Sequence, residues 1–303
     1  MRKLLIYSAV IIICTATADF LTGRLGKYFT EQLPEYGDNL ITKPNYALQH
    51  AKADILILGS SRAEHHYDTR IFQLQFPDTE IYNAGQHNQG MNYALAVLKS
   101  CIERKTPKIV FLDCEPEVLS EEKTAANTTL KTFYSVNNNV KSVLNETLKD
   151  KIVLKSGFYK YNGVILKLFL DSRLPKSEDT LKGFESLKGS LDTSKLKYEQ
   201  PEFTSVISKA EKDFKEIISL CKKHNIKLYV VISPYYYHQN EMSLPYVRLS
   251  EICSKKNVSF SDYMNNSFFD SQPQLFHDIN HLNEKGAILF TYRLLYDLHL
   301  TQY

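Results

Sequence analysis

Tryptophan is absent from this 303-residue chain, and glycine (11) and proline (10) are scarce for the length. So few backbone breakers exclude a collagen-like repeat and argue against long flexible linkers. The formal net charge is only +3, with no dense run of Lys or Arg. The electrostatic footprint of a nucleic-acid binder is therefore missing. No Cys-x-x-Cys pair occurs: Cys14, Cys101, Cys114, Cys221 and Cys253 stand far apart. Zinc-ribbon and thioredoxin chemistry get no support, and free, buried thiols are expected. No ligand spacing points to a metal, and no cofactor is expected. What is present is ordinary globular usage, 43% hydrophobic and 23% charged, which excludes a disordered tail or a multi-span membrane protein. The length allows two domains, or one large α/β domain with an insertion.

One long apolar run occurs, at the N-terminus. Arg2 and Lys3 precede residues 4–18, and Phe20 and Leu21 extend the run around Asp19. Eighteen helical residues would span about 27 Å, enough for a thin bilayer core. Ala16-Thr17-Ala18 fits a small-x-small cleavage site of a signal peptide. The preferred alternative is an uncleaved anchor, with Arg24 and Lys27 beyond it. Either way the basic pair stays inside, and the rest of the chain is expected outside the cytoplasm, periplasmic or extracellular. Residues 1–23 are thus read as anchor or signal segment, 24–51 as a polar connector, and 52–303 as the main domain. Removing residues 1–23 is expected to leave a soluble, folded domain.

Within 52–303, strand-like runs at 54–58, 80–83, 108–113, 227–233 and 258–263 alternate with helical patterns. Ile55-Leu56-Ile57-Leu58 and Ile109-Val110-Phe111-Leu112 are continuously apolar, as parallel strands buried on both faces require. Met91, Leu95, Leu98 and Ile102 share one helical face; so do Val206, Ala210, Phe214, Ile217 and Cys221, and Ile288, Tyr292 and Leu295. Such alternation predicts a three-layer α/β/α sandwich around a parallel sheet. It breaks over about 120–200, read as a partly helical insertion that is either a lid or a solvated elaboration.

Three loops carry candidate chemistry. Ile57-Leu58-Gly59-Ser60-Ser61-Arg62 ends a buried strand where ligands collect in open α/β sheets. Gly59 permits the turn, and Ser61 stands at a helix start, where backbone N–H groups favour negative charge. The same block also suits a helix cap or a phosphate cradle. Asp278-Ile279-Asn280-His281 spaces a carboxylate to fix an imidazole tautomer and leave the other nitrogen as a base. Tyr82-Asn83-Ala84-Gly85-Gln86-His87-Asn88-Gln89-Gly90 can offer amides to an oxyanion, or be a plain turn. His65 and His66 are expected to be exposed on the first turn after Ser61. Tyr235-Tyr236-Tyr237-His238 lies at a strand end, where it either stacks a sugar ring or packs as an aromatic loop. Arg62 either binds an anionic substrate or is solvated.

Together, in this order, the three loops resemble the SGNH hydrolase superfamily, the GDSL esterases, over about residues 52–119 and 202–300. The resemblance implies a flavodoxin-like sandwich with Ser61 as nucleophile, His281 as base and Asp278 as its orienter. Leu282-Asn283-Glu284-Lys285-Gly286 continues the last block. The family's second-block glycine corresponds to Gly85 or Gly90, with Gly90 preferred. The third-block Asn of the family is missing, since Leu112-Asp113-Cys114-Glu115 stands there. An ionised carboxylate cannot donate to an oxyanion, so Asp113 and Glu115 are expected to turn away from Ser61. Asn88 or Gln89 would then complete the hole with the Ser61 amide and the Gly90 loop. The departure, the Gly-Ser-Ser block and the anchor are similar to the envelope members that work beside membrane O-acyltransferases, in alginate acetylation and teichoic acid D-alanylation. The resemblance implies an esterase or O-acyltransferase acting on acyl esters of a cell-surface glycan, with a membrane O-acyltransferase as possible partner. The alternative is a non-catalytic envelope scaffold or glycan binder that keeps the fold.

Overall fold

The computed structural model describes residues 1–36, 40–120, 124–175, 179–196, 205–237, 243–270 and 272–301. His238 lies outside them. In chain order the elements are α1 (Arg2–Glu31), α2 (Thr42–Gln49), β1 (Ile55–Leu58), α3 (Ser61–His66), α4 (Thr69–Gln75), β2 (Ile81–Asn83), α5 (Met91–Arg104) and β3 (Ile109–Asp113). They continue with α6 (Thr124–Phe133), α7 (Asn138–Leu144), α8 (Leu148–Val153), α9 (Gly157–Tyr161), α10 (Ile165–Asp171), α11 (Ser208–Lys223), β4 (Lys227–Ile232), α12 (Leu244–Lys255), β5 (Ser259–Asp262) and α13 (Glu284–Asp297). The chain divides into two compact units, residues 1–49 with 127–178 and residues 50–126 with 179–303.

The second unit is the α/β unit. Its five strands are all parallel, in the order β2-β1-β3-β4-β5. The expected strands all form, within a residue or so of their expected ends. β1, β3 and β4 are buried along nearly their whole length, which is why they read as unbroken apolar runs. Ile55, Ile57, Phe111, Tyr229 and Val231 share one core with Ala63 of α3 and Tyr67 just after it, Phe72 of α4, and Phe290 and Leu294 of α13. Alternate strand residues point to the other face, where α5 and α11 pack on one another. Phe111 is wholly buried, stacked on Tyr229 with ring centroids 5.2 Å apart and edge-on to Phe72. Trimming so enclosed a ring to Ala would cost about 3–5 kcal/mol. This strand order reverses between β1 and β3, so the loops leaving those two strands flank a crevice at their carboxyl ends.

The first unit is helical. α1 is a single 30-residue helix that buries only Gly26 and Thr30, and it is long and apolar enough to cross a membrane. It runs eight residues past position 23, so residues 24–51 hold the end of α1 and all of α2 rather than a plain polar connector. The far end of α1 is packed: Asp19 Oδ1 accepts from Ser156 Oγ at 2.6 Å and from the Phe158 N–H at 2.8 Å. A side chain on Gly157 would collide with the Asp19 carbonyl and the Gly23 amide, and one on Gly26 with the Tyr161 ring. A cut after residue 23 therefore removes contacts of this unit. The insertion is shared: 127–178 belongs to the helical unit, and 179–196 to the α/β unit. All five cysteines are free, Cys14 exposed and the others buried. Burial pushes the Cys221 and Cys253 thiols up to about 12.

Candidate active site

The site begins at the end of β1. Gly59 has φ +146°, and a side chain there would press on Ala63 and the Asp113 carbonyl. Only glycine tolerates both. The turn delivers Ser61 to the first position of α3. Ser61 Oγ lies 2.8 Å from His281 Nε2. His281 Nδ1 lies 2.9 Å from both Asp278 oxygens, and Asp278 Oδ1 also accepts from the N–H groups of Asn280 and His281. The carboxylate places the proton on Nδ1, which leaves Nε2 to accept from the serine hydroxyl. Burial raises the Asp278 carboxyl. The hydrogen bond and charge of His281, with the two backbone amides, outweigh it and hold the carboxyl down at about 2. The structure thus joins Ser61, His281 and Asp278 into one hydrogen-bonded relay, across 220 residues of sequence.

Arg62 differs from both expectations. It is 1% exposed and turned into the protein rather than toward solvent. Its guanidinium donates to the Ser233 carbonyl, to Ser233 Oγ at 3.0 Å, to the Pro234 carbonyl at 3.1 Å and to the Asn280 carbonyl at 3.2 Å. It lies 3.6 Å over the Tyr235 ring, and its Nε is 3.9 Å from Asp113 Oδ1. Strand-end carbonyls and an aromatic face satisfy a flat, multi-donor cation well. Tyr235 is correspondingly buried under Arg62 and is not a sugar platform. Tyr236 is half-buried, edge-on to Phe276, and its N–H donates to the Ile279 carbonyl at 3.3 Å. It braces the loop that carries Asp278.

His65 and His66 are also buried rather than exposed. His66 Nε2 accepts from the Leu282 N–H at 2.9 Å, so its proton sits on Nδ1, 2.9 Å from Ser233 Oγ. Burial first, then the charges of Arg62 and His281, hold its pKa well below the ordinary histidine value. A neutral imidazole thus clamps the backbone beside His281. His65 Nδ1 bonds the Glu185 carbonyl at 2.8 Å, and its ring stands edge-on to His281 at 5.6 Å. Ligand-type atoms of Glu64, His65 and Glu185 lie within 4.8 Å of one another and are the group best placed to hold a metal among the described residues. Glu64 Oε2 already accepts from the His87 N–H at 2.7 Å.

Asp113, at the end of β3, directs its carboxylate to the Tyr67 hydroxyl at 2.7 Å. Burial pushes its pKa up, against the pull of Arg62 and Tyr67. It is engaged in the core rather than offered to the relay. The second loop separates the two glycine candidates. The Gly85 N–H donates to Asn83 Oδ1 at 2.9 Å, and a side chain at Gly85 would strike the Ala63 and Glu64 backbone. Gly85 is therefore a packing glycine whose amide is already committed. Gly90 caps the start of α5, and its N–H meets no acceptor among the described residues. Asn88 is exposed at φ +56°, and Gln89 is buried with its amide on the His87 carbonyl. No hydrogen bond links Gly90, Asn88 or Gln89 to the relay among the described residues.

Within the expected insertion, residues 181–191 form a strap across the loops that carry Ser61 and His281, an arrangement the sequence did not reveal. Its carbonyls accept from Thr69 and Asn83 at one end, and from His65, His277 and Asn283 farther along, where the Leu187 carbonyl also takes the Glu284 N–H. The repeated Leu-Lys-Gly is its only sequence signal, and both glycines, Gly183 and Gly189, have φ above +80°.

No family model matches the chain. No curated protein matches it either. Among solved structures it is similar to an acetyl xylan esterase, at 14% identity and TM-score 0.40 over 80% of this chain and 99% of that one. It is also similar to a GDSL-like lipase from Bacteroides thetaiotaomicron, at 10% identity and TM-score 0.38 over 91% and 99%. Likenesses this distant carry no argument about function, which rests on the site's own geometry.

Proposed function

We propose that this chain is a serine esterase or O-acyltransferase, held at a membrane by α1, that acts on acyl esters of a cell-surface glycan. The observation that carries the chemistry is the Ser61–His281–Asp278 relay. Ser61 Oγ attacks the acyl carbonyl while its proton passes to His281 Nε2. Asp278 stabilises the resulting imidazolium. The oxyanion is met by the amides of the α3 start and the Gly90 loop. His281 then protonates the departing alkoxide, leaving an acyl-Ser61. Water or a second hydroxyl, deprotonated by His281, takes the acyl group and regenerates the serine. The membrane reading is supported by the length and apolar character of α1, and Arg2 and Lys3 favour an inside N-terminus. The glycan substrate rests on the resemblance to envelope members. Tyr236 remains as a rim aromatic, while Tyr235 no longer supports it.

A non-catalytic scaffold is the second reading. It is favoured by Asp113 standing where the family's Asn donor belongs and by the committed Gly85 amide. A fluorophosphonate probe on the full chain in detergent separates the two. Covalent labelling of Ser61, absent in Ser61→Ala, is expected. An unlabelled, folded protein supports the scaffold.

A further inference from the structure

We propose that residues 148–174 of the helical unit form a second membrane contact, an interfacial platform resting on the anionic headgroup surface of the bilayer that α1 crosses. This rests on the anchor reading of α1.

The exposed apolar side chains of this segment are out of place for water. Leu148 and Ile152 are 74% and 59% exposed, four residues apart on one face of α8, which buries nothing. Phe158 and Tyr159 of α9 are 42% and 45% exposed, and Leu166 and Leu170 of α10 are 69% and 55%. A concentration of this kind on a short helical stretch marks an interaction surface. Between these residues lie the exposed Lys149, Lys151 and Lys155. The segment carries five lysines and one arginine against two aspartates. Interleaved basic and apolar residues suit a headgroup boundary better than a protein groove.

Two contacts fix the depth. The apolar run of α1 ends at Asp19–Leu21 by composition. Asp19 is an acid that hydrocarbon would not tolerate unpaired. It is satisfied by Ser156 Oγ and the Phe158 N–H, so the start of α9 sits level with the polar end of the span. The close approach of Gly157 to Gly23 admits no side chain between the two helices and holds that level. Phe158 and Tyr159 therefore stand where interfacial aromatic residues collect. The occupant is the bilayer because the surface continues from the one helix, among the described residues, that is apolar enough to enter it.

The absence of Trp makes the test direct. Ile12→Trp, Ile152→Trp and Phe158→Trp each give the full chain a single indole at an exposed position. Each variant is reconstituted in phosphatidylglycerol–phosphatidylethanolamine vesicles, with spin-labelled lipid quenchers placed shallow or deep in the bilayer. Ile12→Trp should lose emission to the deep quencher. Ile152→Trp and Phe158→Trp should lose emission to the shallow quencher and be shielded from aqueous iodide. If Ile12→Trp is quenched while Ile152→Trp and Phe158→Trp are unquenched and open to iodide, the platform alone is overturned. Blue-shifted emission from those two variants that no lipid quencher touches also overturns it, since a protein surface then covers the face. An unquenched Ile12→Trp overturns the anchor and the platform together, while fluorophosphonate labelling of Ser61 stays independent of all three outcomes.

Discussion

Helix α3 has six residues and buries every one of them, although they are Ser, Arg, Ala, Glu, His and His; α1 has thirty, mostly apolar, and buries two. Hydropathy alone would order the two the other way. Polar side chains enter a protein interior when each finds a partner, because an unpaired buried group costs more than its bond contributes. In α3 every such residue does: Ser61 meets His281, Arg62 a ring of carbonyls, Glu64 the His87 N–H, His65 the Glu185 carbonyl, and His66 both Ser233 and Leu282. Apolar side chains stay outside the protein when the surrounding solvent is itself apolar, which is how α1 is read here.

The contrast breaks most severely at Ser61. Ser61→Ala should lower acyl-ester turnover by roughly 10⁴- to 10⁶-fold with folding unchanged, measured on an activated acetyl ester beside a denaturation curve. An equal loss of stability would mean that the residue serves the core and not the chemistry.

Arg62→Met follows. It keeps the bulk over Tyr235 but removes the positive charge beside Asp113 and the donors from four acceptors. Removing one side of a buried ionic network should destabilise by about 3–5 kcal/mol, read as the urea midpoint shift of the full chain in detergent. A shift below about 1 kcal/mol would show that the pair is not coupled.

Proton linkage sharpens the comparison further. His66 is neutral when folded because its pKa is depressed, whereas the unfolded chain takes up its proton below the ordinary value of 6.5. The unfolded state then binds more protons, so stability falls as pH drops below 6.5, at up to about 1.4 kcal/mol per pH unit. His66→Gln, which has an amide donor and acceptor but no titration, should flatten that slope between pH 6.5 and 5. Asp278 acts lower down. Its depressed carboxyl contributes stability that is complete above the ordinary value of 3.8 and lost as pH falls through about 2, so it leaves the slope above pH 5 untouched.

The smallest effect belongs to α1. Ile11 is 64% exposed, and Ile11→Ser should change the urea midpoint in detergent by less than about 0.5 kcal/mol. A larger loss would mean that the helix is packed against protein along its apolar length.

The five strands and the main flanking helices of the sheet were legible in the residues, and Ser61, Asp278 and His281 were picked out through the resemblance that their loops carry together. Each depends on local pattern: apolar runs of strand length, a glycine turn, a carboxylate three residues before a histidine. Arg62 and His66 were misplaced for a single reason. Their burial depends on the Asp113 carboxylate at the end of β3, on the carbonyls and hydroxyl of Ser233 and Pro234 after β4 and on the loop before α13, all far away in sequence. The same distance hid the 181–191 strap, whose hydrogen bonds are nearly all made by its backbone, and a backbone leaves no signature in residue type. By itself the sequence determined which strands form and which functional groups stand on the loops that leave them, because periodicity and residue type are local properties. The tertiary structure alone decided which polar groups are sheltered, which glycine amide is already committed and which apolar face is left uncovered. Those depend on the partners that the parallel sheet brings to its carboxyl edge and that α1 brings to the helices packed on it.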